Sequence, residues 1–341
     1  MSRAKLLAAV LGAVGLVAAV AYAGAGAVAQ AAERVGLAGL VIVALIHLPV
    51  IALTGSAWSF IGNRQSGASP WKFIWARYVR EATAEVLPFS QLGGIVAGVR
   101  ALSLAGLSGL PAMSSMLVDV IVEQLAKLPY VLAGAILLLI GHHAASLRLA
   151  TSAVLPAGVL ALAVIVYRQR LLSMLEGAAR LISRRWPAVR IGPDIGPDIG
   201  QALRQVSAPD RRTTAAFATH TLAWMLGALE TWIIFHLMGV AVTVTGALII
   251  DSLFCGLRTF GFAVPAALGV QEAGYVLVCA LLGIAAAPAV ACSLIRRARE
   301  WVTGIPGLGI WQLIESRRAF AGAAVSAAPP EDPSDRPVGP E

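Results

Sequence analysis

The sequence predicts an all-α polytopic integral membrane protein whose membrane helices include re-entrant or broken segments. Three observations carry this. Of its 341 residues, 58% are hydrophobic and only 13% charged, with a mean hydropathy of +0.79; soluble domains carry about 25% charged residues. Several apolar runs reach the roughly 20 residues that span a bilayer as helix. The basic residues, 26 Lys+Arg against 18 Asp+Glu for a net charge of +8, gather between those runs. That placement fits orientation in the membrane and contact with anionic headgroups rather than nucleic acid.

Arg3 and Lys5 precede a first apolar run at 6–28. Ala27-Val-Ala29 has the form of a signal-cleavage site, but the run exceeds the roughly 7–15 residues of a signal core, so an uncleaved first helix is expected. Glu33-Arg34 forms a polar break before span two, at 35–58, which ends on Trp58. Arg64, Lys72, Arg77 and Arg80 follow, interleaved with Trp71, Trp75 and Tyr78. Such a segment belongs at the cytoplasmic interface.

Arg77, Glu81 and Glu85 are spaced four apart and share one helical face. Pro88 and Gly93-Gly94 then interrupt the segment. It reads either as a re-entrant pair of half-helices or as an interfacial helix followed by a full span. Span three, at 116–140, carries Asp119, Glu123 and Lys127 at the same spacing, with Glu123 and Lys127 in the favourable order for a pair. An unpaired charge at mid-depth costs about 2.5–3.5 kcal/mol on insertion scales. The stripe therefore faces the bundle interior, or else its acids lie at headgroup level while Lys127 snorkels.

Span four is at 149–167. The loop at 168–212 holds nine arginines against four acids, which makes it cytoplasmic. Arg180, Arg184 and Arg185 share a plausible amphipathic helix with Leu175 and Ile182. The tandem Gly192-Pro-Asp-Ile and Gly196-Pro-Asp-Ile reads as turns in a spacer. Span five, at 214–238, contains Glu230. An interrupted region at 246–264 holds Asp251, Cys255 and Arg258; Asp251 and Arg258, seven apart, share a face if helical.

Pro265 and Gly269 then break an apolar run immediately before Gln271 and Glu272. Broken backbone beside a carboxylate is costly at membrane depth unless it is buried in protein or lines a water-filled cavity. Span six continues to about residue 294, and Arg296, Arg297 and Arg299 mark a cytoplasmic end. A short apolar segment at 301–314 is marginal as a span. The Ala/Pro/acid-rich tail from Ala321 reads as disordered.

Cys255, Cys279 and Cys292 all sit in apolar runs without a CxxC partner, and the five histidines form no HExxH. No disulfide, metal site or cofactor is expected. With a cytoplasmic N-terminus, the basic segments balance if each half contains one re-entrant hairpin. Gly/Pro-interrupted segments in corresponding positions are the sequence mark of an inverted-repeat transporter.

Pro265-Ala-Ala-Leu-Gly-Val-Gln-Glu272, followed by Ala-Gly, resembles the P-x-x-L-G-x-x-E signature of the membrane domain of lysylphosphatidylglycerol synthases. Arg80-Glu81 through Leu87-Pro88-Phe89 and Gly93-Gly94 resembles that family's other signature, and Asp119 to Gln124 fits as well. The wording of both motifs is most similar to hopanoid-biosynthesis-associated HpnL-type membrane proteins. One departure is Ile95, where the family often has an acid after the glycine pair. The resemblance extends over roughly residues 1–320 and implies a bundle of about eight helices that moves lipid between leaflets. Aminoacyl transfer, in the full-length synthases, belongs to a separate soluble domain, for which the tail leaves no room.

The resulting expectation is a non-enzymatic lipid translocator of the bacterial inner membrane. Glu81, Glu85, Asp119, Glu123, Gln271 and Glu272 would line a polar cavity. Arg80, Arg100 and Arg258 would serve as charge partners or headgroup contacts, and Pro88, Gly93, Gly94, Pro265 and Gly269 would break the helices. Membrane lipids are the expected partners, and no nucleic acid is. Two alternatives stand beside this reading: a scaffold for lipid-biosynthesis enzymes that docks through the 168–212 loop, and a membrane-embedded transferase using intramembrane carboxylates as bases.

Overall fold

The computed structural model describes residues 3–87, 90–107, 109–141, 210–258 and 269–326. Pro88, Pro265, span four, the amphipathic and tandem-repeat segments of the 168–212 loop and the tail beyond Ser326 lie outside the described residues. The described chain is entirely helical: α1 Arg3–Ala23, α2 Ala25–Ser66, α3 Pro70–Val86, α4 Ser90–Leu104, α5 Gly109–Gly141, α6 Arg211–Leu237, α7 Val244–Arg258, α8 Val270–Leu281 and α9 Ala286–Ser326.

Local chemistry sets several of these boundaries. Gly24 adopts φ 84° and separates α1 from α2, and α2 kinks at Gly36, whose φ is 60° and ψ −174°. The chain is thus broken on either side of Glu33-Arg34 rather than at it. Pro70 stands at the start of α3, where its missing N–H costs nothing. Asp210 caps α6, accepting from the Thr213 backbone N–H at 2.9 Å. The expected sixth span is two elements: α8 ends at Leu281, the chain turns through Gly283 at φ 71°, and α9 begins at Ala286. α9 then runs for 41 residues. It absorbs both the expected cytoplasmic arginines and the marginal segment at 301–314, and it continues through Ala321 to Ser326.

After α1 the described helices fall into two halves with one plan. In the first, long α2 and α5 flank the short arms α3 and α4; in the second, long α6 and α9 flank α7 and α8. The packing repeats when the halves are exchanged. α2 packs on α6 at the centre, α3 crosses to α9 as α7 crosses to α5, and α2 lies on α9 as α6 lies on α5. The short arms pair within each half, and the second arm rests on its own half's last helix. Paired short and long helices in corresponding positions are a feature of many secondary transporters.

Each half has an apolar core. Trp58, Phe73, Val79, Val99, Leu102 and Met116 pack together in the first, with Trp58 edge-on to Phe73 at 5.6 Å between ring centroids. Phe235, Ile250, Leu253, Tyr275, Val278 and Val290 centre the second. The outer surface is apolar too. Leu37, Val41, Leu45 and Leu48 of α2, Leu132, Ile136 and Leu139 of α5, and Leu222, Met225 and Leu229 of α6 are exposed at helical spacing. The segments Ala25–Gly62 and Pro111–Gly141 are long and apolar enough to cross a bilayer. Apolar residues outside and charges inside is the arrangement that lipid, not water, favours as surroundings.

Candidate functional site

The charges lie between the two apolar cores. α3 presents Arg77 and Arg80 toward α5. Arg77 binds Glu123 with both terminal nitrogens, each at 2.9 Å, and Arg80 adds a 3.0 Å contact to the same carboxylate. Arg80 also lies 3.5 Å from Asp119, whose other oxygen faces His220 Nε2 of α6 at 2.9 Å. Paired geometry of this kind is what makes charge tolerable in a low-dielectric interior. It also decides the reading of the α5 stripe: Asp119 and Glu123 face inward and are buried. Lys127 does not pair with Glu123 as its order suggested. It donates to Gln124 and lies 4.6 Å over the Trp224 ring.

The second half answers with the signs reversed. α7 supplies the acid Asp251 and α9 supplies Arg296, which donates to Asp251 and, at 2.8 Å, to the Tyr275 hydroxyl. Asp251 also accepts from Tyr130 at 2.7 Å and Thr231 at 3.0 Å. Arg299, 2% exposed, donates to Glu230 at 3.2 Å and approaches Glu85 of α3 at 3.7 Å. Arg258 meets Glu300 of α9 at 3.6 Å. The arginines expected at a cytoplasmic end are therefore buried ion-pair partners, because α9 continues past them as helix.

His47 of α2 joins the two systems. Its Nε2 lies 2.7 Å from Glu81 of α3, and its Nδ1 lies 3.1 Å from Glu230 of α6. Glu81 in turn is 3.5 Å from Arg77. A continuous chain of charged groups thus runs from Asp119 through Arg77, Glu81, His47 and Glu230 to Arg296 and Asp251.

Glu272 stands in a neighbouring pair. One carboxylate oxygen accepts the Gly269 backbone N–H at 2.8 Å and so caps α8. The other accepts from Arg297 at 2.9 Å and from Ser293 at 3.2 Å, which pins α8 to α9. Gln271 donates to the Ser293 carbonyl at 3.2 Å. The signature at Gly269–Glu272 is thereby explained: Gly269 takes φ 74°, open to glycine at little cost, so that Glu272 folds back onto the start of its own helix. Gly94 has a different reason. A Cβ there would lie 2.6 Å from the Arg80 carbonyl oxygen, so the glycine lets α4 approach α3 closely. Gly93, beside it, lies in α4.

The structure thus brings Glu81, Glu85, Asp119, Glu123 and Arg80 into one seam, sets Gln271 and Glu272 beside it, and leaves Arg258 near its partly exposed edge. Arg100 lies apart from the seam: it reaches Glu315 of α9 at 2.8 Å, and both side chains are about a quarter exposed. Sequence reasoning passed over His47, His220, Arg296, Arg297 and Arg299 as site residues. The available signal was the spacing of Arg296, Arg299 and Thr303 on one face, with no Gly or Pro between Ile295 and Trp301 to end a helix. Among the described residues no group of His, Cys, Asp and Glu has the form of a metal site.

A protein-family model described as Lysylphosphatidylglycerol synthase TM region matches residues 5–307 of the chain. No curated protein and no solved structure matches it.

Proposed function

The chain belongs to the lysylphosphatidylglycerol synthase TM-region family, and from that premise we propose that it carries a membrane lipid between the two leaflets. The observation that carries this reading is the buried charge seam shared by two exchange-related halves. A headgroup crossing the apolar interior needs a path where its charges are met at every depth. A seam holding both signs supplies one: phosphate can exchange for a carboxylate on Arg77, Arg80, Arg296 or Arg299, and an amine can exchange for a guanidinium on Glu81, Glu85, Asp119 or Glu123. The tails stay in lipid beside exposed Leu and Ile. Relative movement of the halves opens the seam to one leaflet and then the other. Glu272, with both oxygens engaged, positions α8 rather than meeting the lipid.

In this reading the chain transfers no aminoacyl group, sits in the bacterial inner membrane with its N-terminus in the cytoplasm, and handles a polar lipid or a hopanoid, as the HpnL-like wording of its motifs suggests. The test is reconstitution of the full chain in vesicles carrying a fluorescent phosphatidylglycerol. If lipid crosses, an impermeant quencher applied outside extinguishes nearly all the fluorescence. In protein-free vesicles it extinguishes about half. A half-quenched signal with folded protein present, for phosphatidylglycerol and for hopanoid and amine-headed probes alike, contradicts the reading.

A further inference from the structure

The two buried histidines of the seam are not equivalent. Both cross between the halves: His47 of the first half meets Glu230 of the second, and His220 of the second meets Asp119 of the first. His220 has one carboxylate partner, and its Nδ1 has no partner among the described residues. His47 has two, with a carboxylate oxygen at hydrogen-bond distance from each ring nitrogen.

That difference fixes a proton count. A neutral imidazole carries one N–H and one lone pair. It satisfies a single carboxylate, as at His220. Two carboxylates facing both nitrogens at 2.7 and 3.1 Å require two protons on the two lines of contact. The His47 site therefore holds one proton more than a neutral histidine between two carboxylates. If that proton leaves, a nitrogen lone pair faces a carboxylate oxygen at contact distance, and the contact becomes repulsive.

The surroundings place the surplus proton on the ring. From α3, Glu81 is held by Arg77. From α6 comes Glu230, and from α9 Arg299 and Arg296 both reach that carboxylate. α5 bears on the site only through Arg77, by Glu123. The described side chains of α1 are apolar except Tyr22, which points outward. Both flanking carboxylates thus have guanidinium partners that favour their anionic form.

We propose that His47 is a proton-binding latch between the two halves: protonated, it ties Glu81 of α3 to Glu230 of α6, and release of that proton to water lets the halves part, which makes lipid translocation proton-coupled. The inference rests on the translocation reading above and adds its coupling ion. The latch itself is a property of the fold and is measured separately.

The experiment uses the full chain in lipid nanodiscs with spin labels at Trp71→Cys on α3 and Leu222→Cys on α6, both exposed positions. Cys255, Cys279 and Cys292 are buried, which directs labelling to the introduced sites. The interlabel distance distribution is recorded from pH 5 to pH 9. The latch gives a short population that yields to a longer one as pH rises, with the steepness of one proton. His47→Gln removes the titration. Glu81→Gln also removes it, because the amide can donate to the ring and no surplus proton is needed. His220→Gln keeps the midpoint. A distribution that ignores pH, or that titrates in His47→Gln or Glu81→Gln as it does in the unsubstituted chain, overturns the latch.

Translocation of the fluorescent lipid is then measured in vesicles with and without a pH gradient. The latch predicts a several-fold change in rate that is lost in Glu81→Gln. Rates that ignore the gradient overturn the coupling and leave the translocation reading standing. A titrating distance without any translocation does the reverse: the latch stands and the translocation reading falls.

Discussion

The first and second halves share a helix plan and packing but distribute charge in opposite senses. In the first, the short arm α3 carries the arginines and the long helix α5 carries the acids. In the second, the short arm α7 carries Asp251 and the long helix α9 carries Arg296 and Arg299. Redundancy differs as well. Glu123 is held by Arg77 and Arg80 together, whereas Arg296 is the only cation within ion-pair distance of Asp251 among the described residues. Asp251 therefore rests on one cation where Glu123 rests on two.

Substitutions that delete one cation from each half test this most strongly. Arg296→Ala leaves Asp251 buried without a counter-charge and should cost about 3–5 kcal/mol, the range for breaking a buried pair. The loss would appear as a marked drop in Tm of the detergent-solubilised protein. Asp251→Asn in the same chain should recover much of that loss, because it removes the stranded charge. Arg80→Ala leaves Glu123 with the two-pronged Arg77 contact and should cost less, about 1.5–3 kcal/mol. Equal losses for the two arginine deletions would refute the difference in bracing.

The hairpins offer the next comparison. Gly94→Ala drives a methyl to 2.6 Å from a backbone carbonyl of α3, which cannot move without the helix. Gly274→Ala in α8 meets the Phe254 ring at 3.2 Å, a side chain that can yield. Gly94→Ala should therefore cost about 1–3 kcal/mol, as overpacking does, and Gly274→Ala under about 1 kcal/mol. Thermal melting of both variants checks the order. The smallest effect belongs to Arg100→Ala, which removes a partly solvated pair with Glu315 and should change stability by about 0–1 kcal/mol.

The halves were also unequally legible in the sequence. The first seam could be read because Arg77, Glu81 and Glu85, then Asp119 and Glu123, repeat at helical spacing within or beside apolar runs, so shared faces followed directly. The second could not, because the positive-inside rule assigns an arginine cluster to a loop, and Arg296, Arg297 and Arg299 satisfy that rule as well as any loop does. Only their partners, brought from α6, α7 and α8 by tertiary packing, show them to be interior. Glu272 was legible as a signature residue but not as a cap and tether, since those roles depend on a helix starting at Val270 and on Arg297 arriving from α9. His47 gave no local signal: it is one polar residue in an apolar run, and the carboxylates that flank it come from residues 34 and 183 positions away.

The central claim is that lipid crosses when the halves move along the seam, and a bond between the halves tests it without touching a charge. A Cβ built on Gly304 of α9 lies 3.7 Å from the Ala82 Cβ of α3, inside the usual disulfide range of about 3.5–4.5 Å; it also lies 2.5 Å from Val86 Cγ2, so the test chain carries Val86→Ala as well. Translocation is measured for the chain carrying Ala82→Cys and Gly304→Cys, oxidised and then reduced. The account predicts that oxidation stops lipid transfer and that reductant restores it. Equal transfer in the two states, with the crosslink verified, would contradict it.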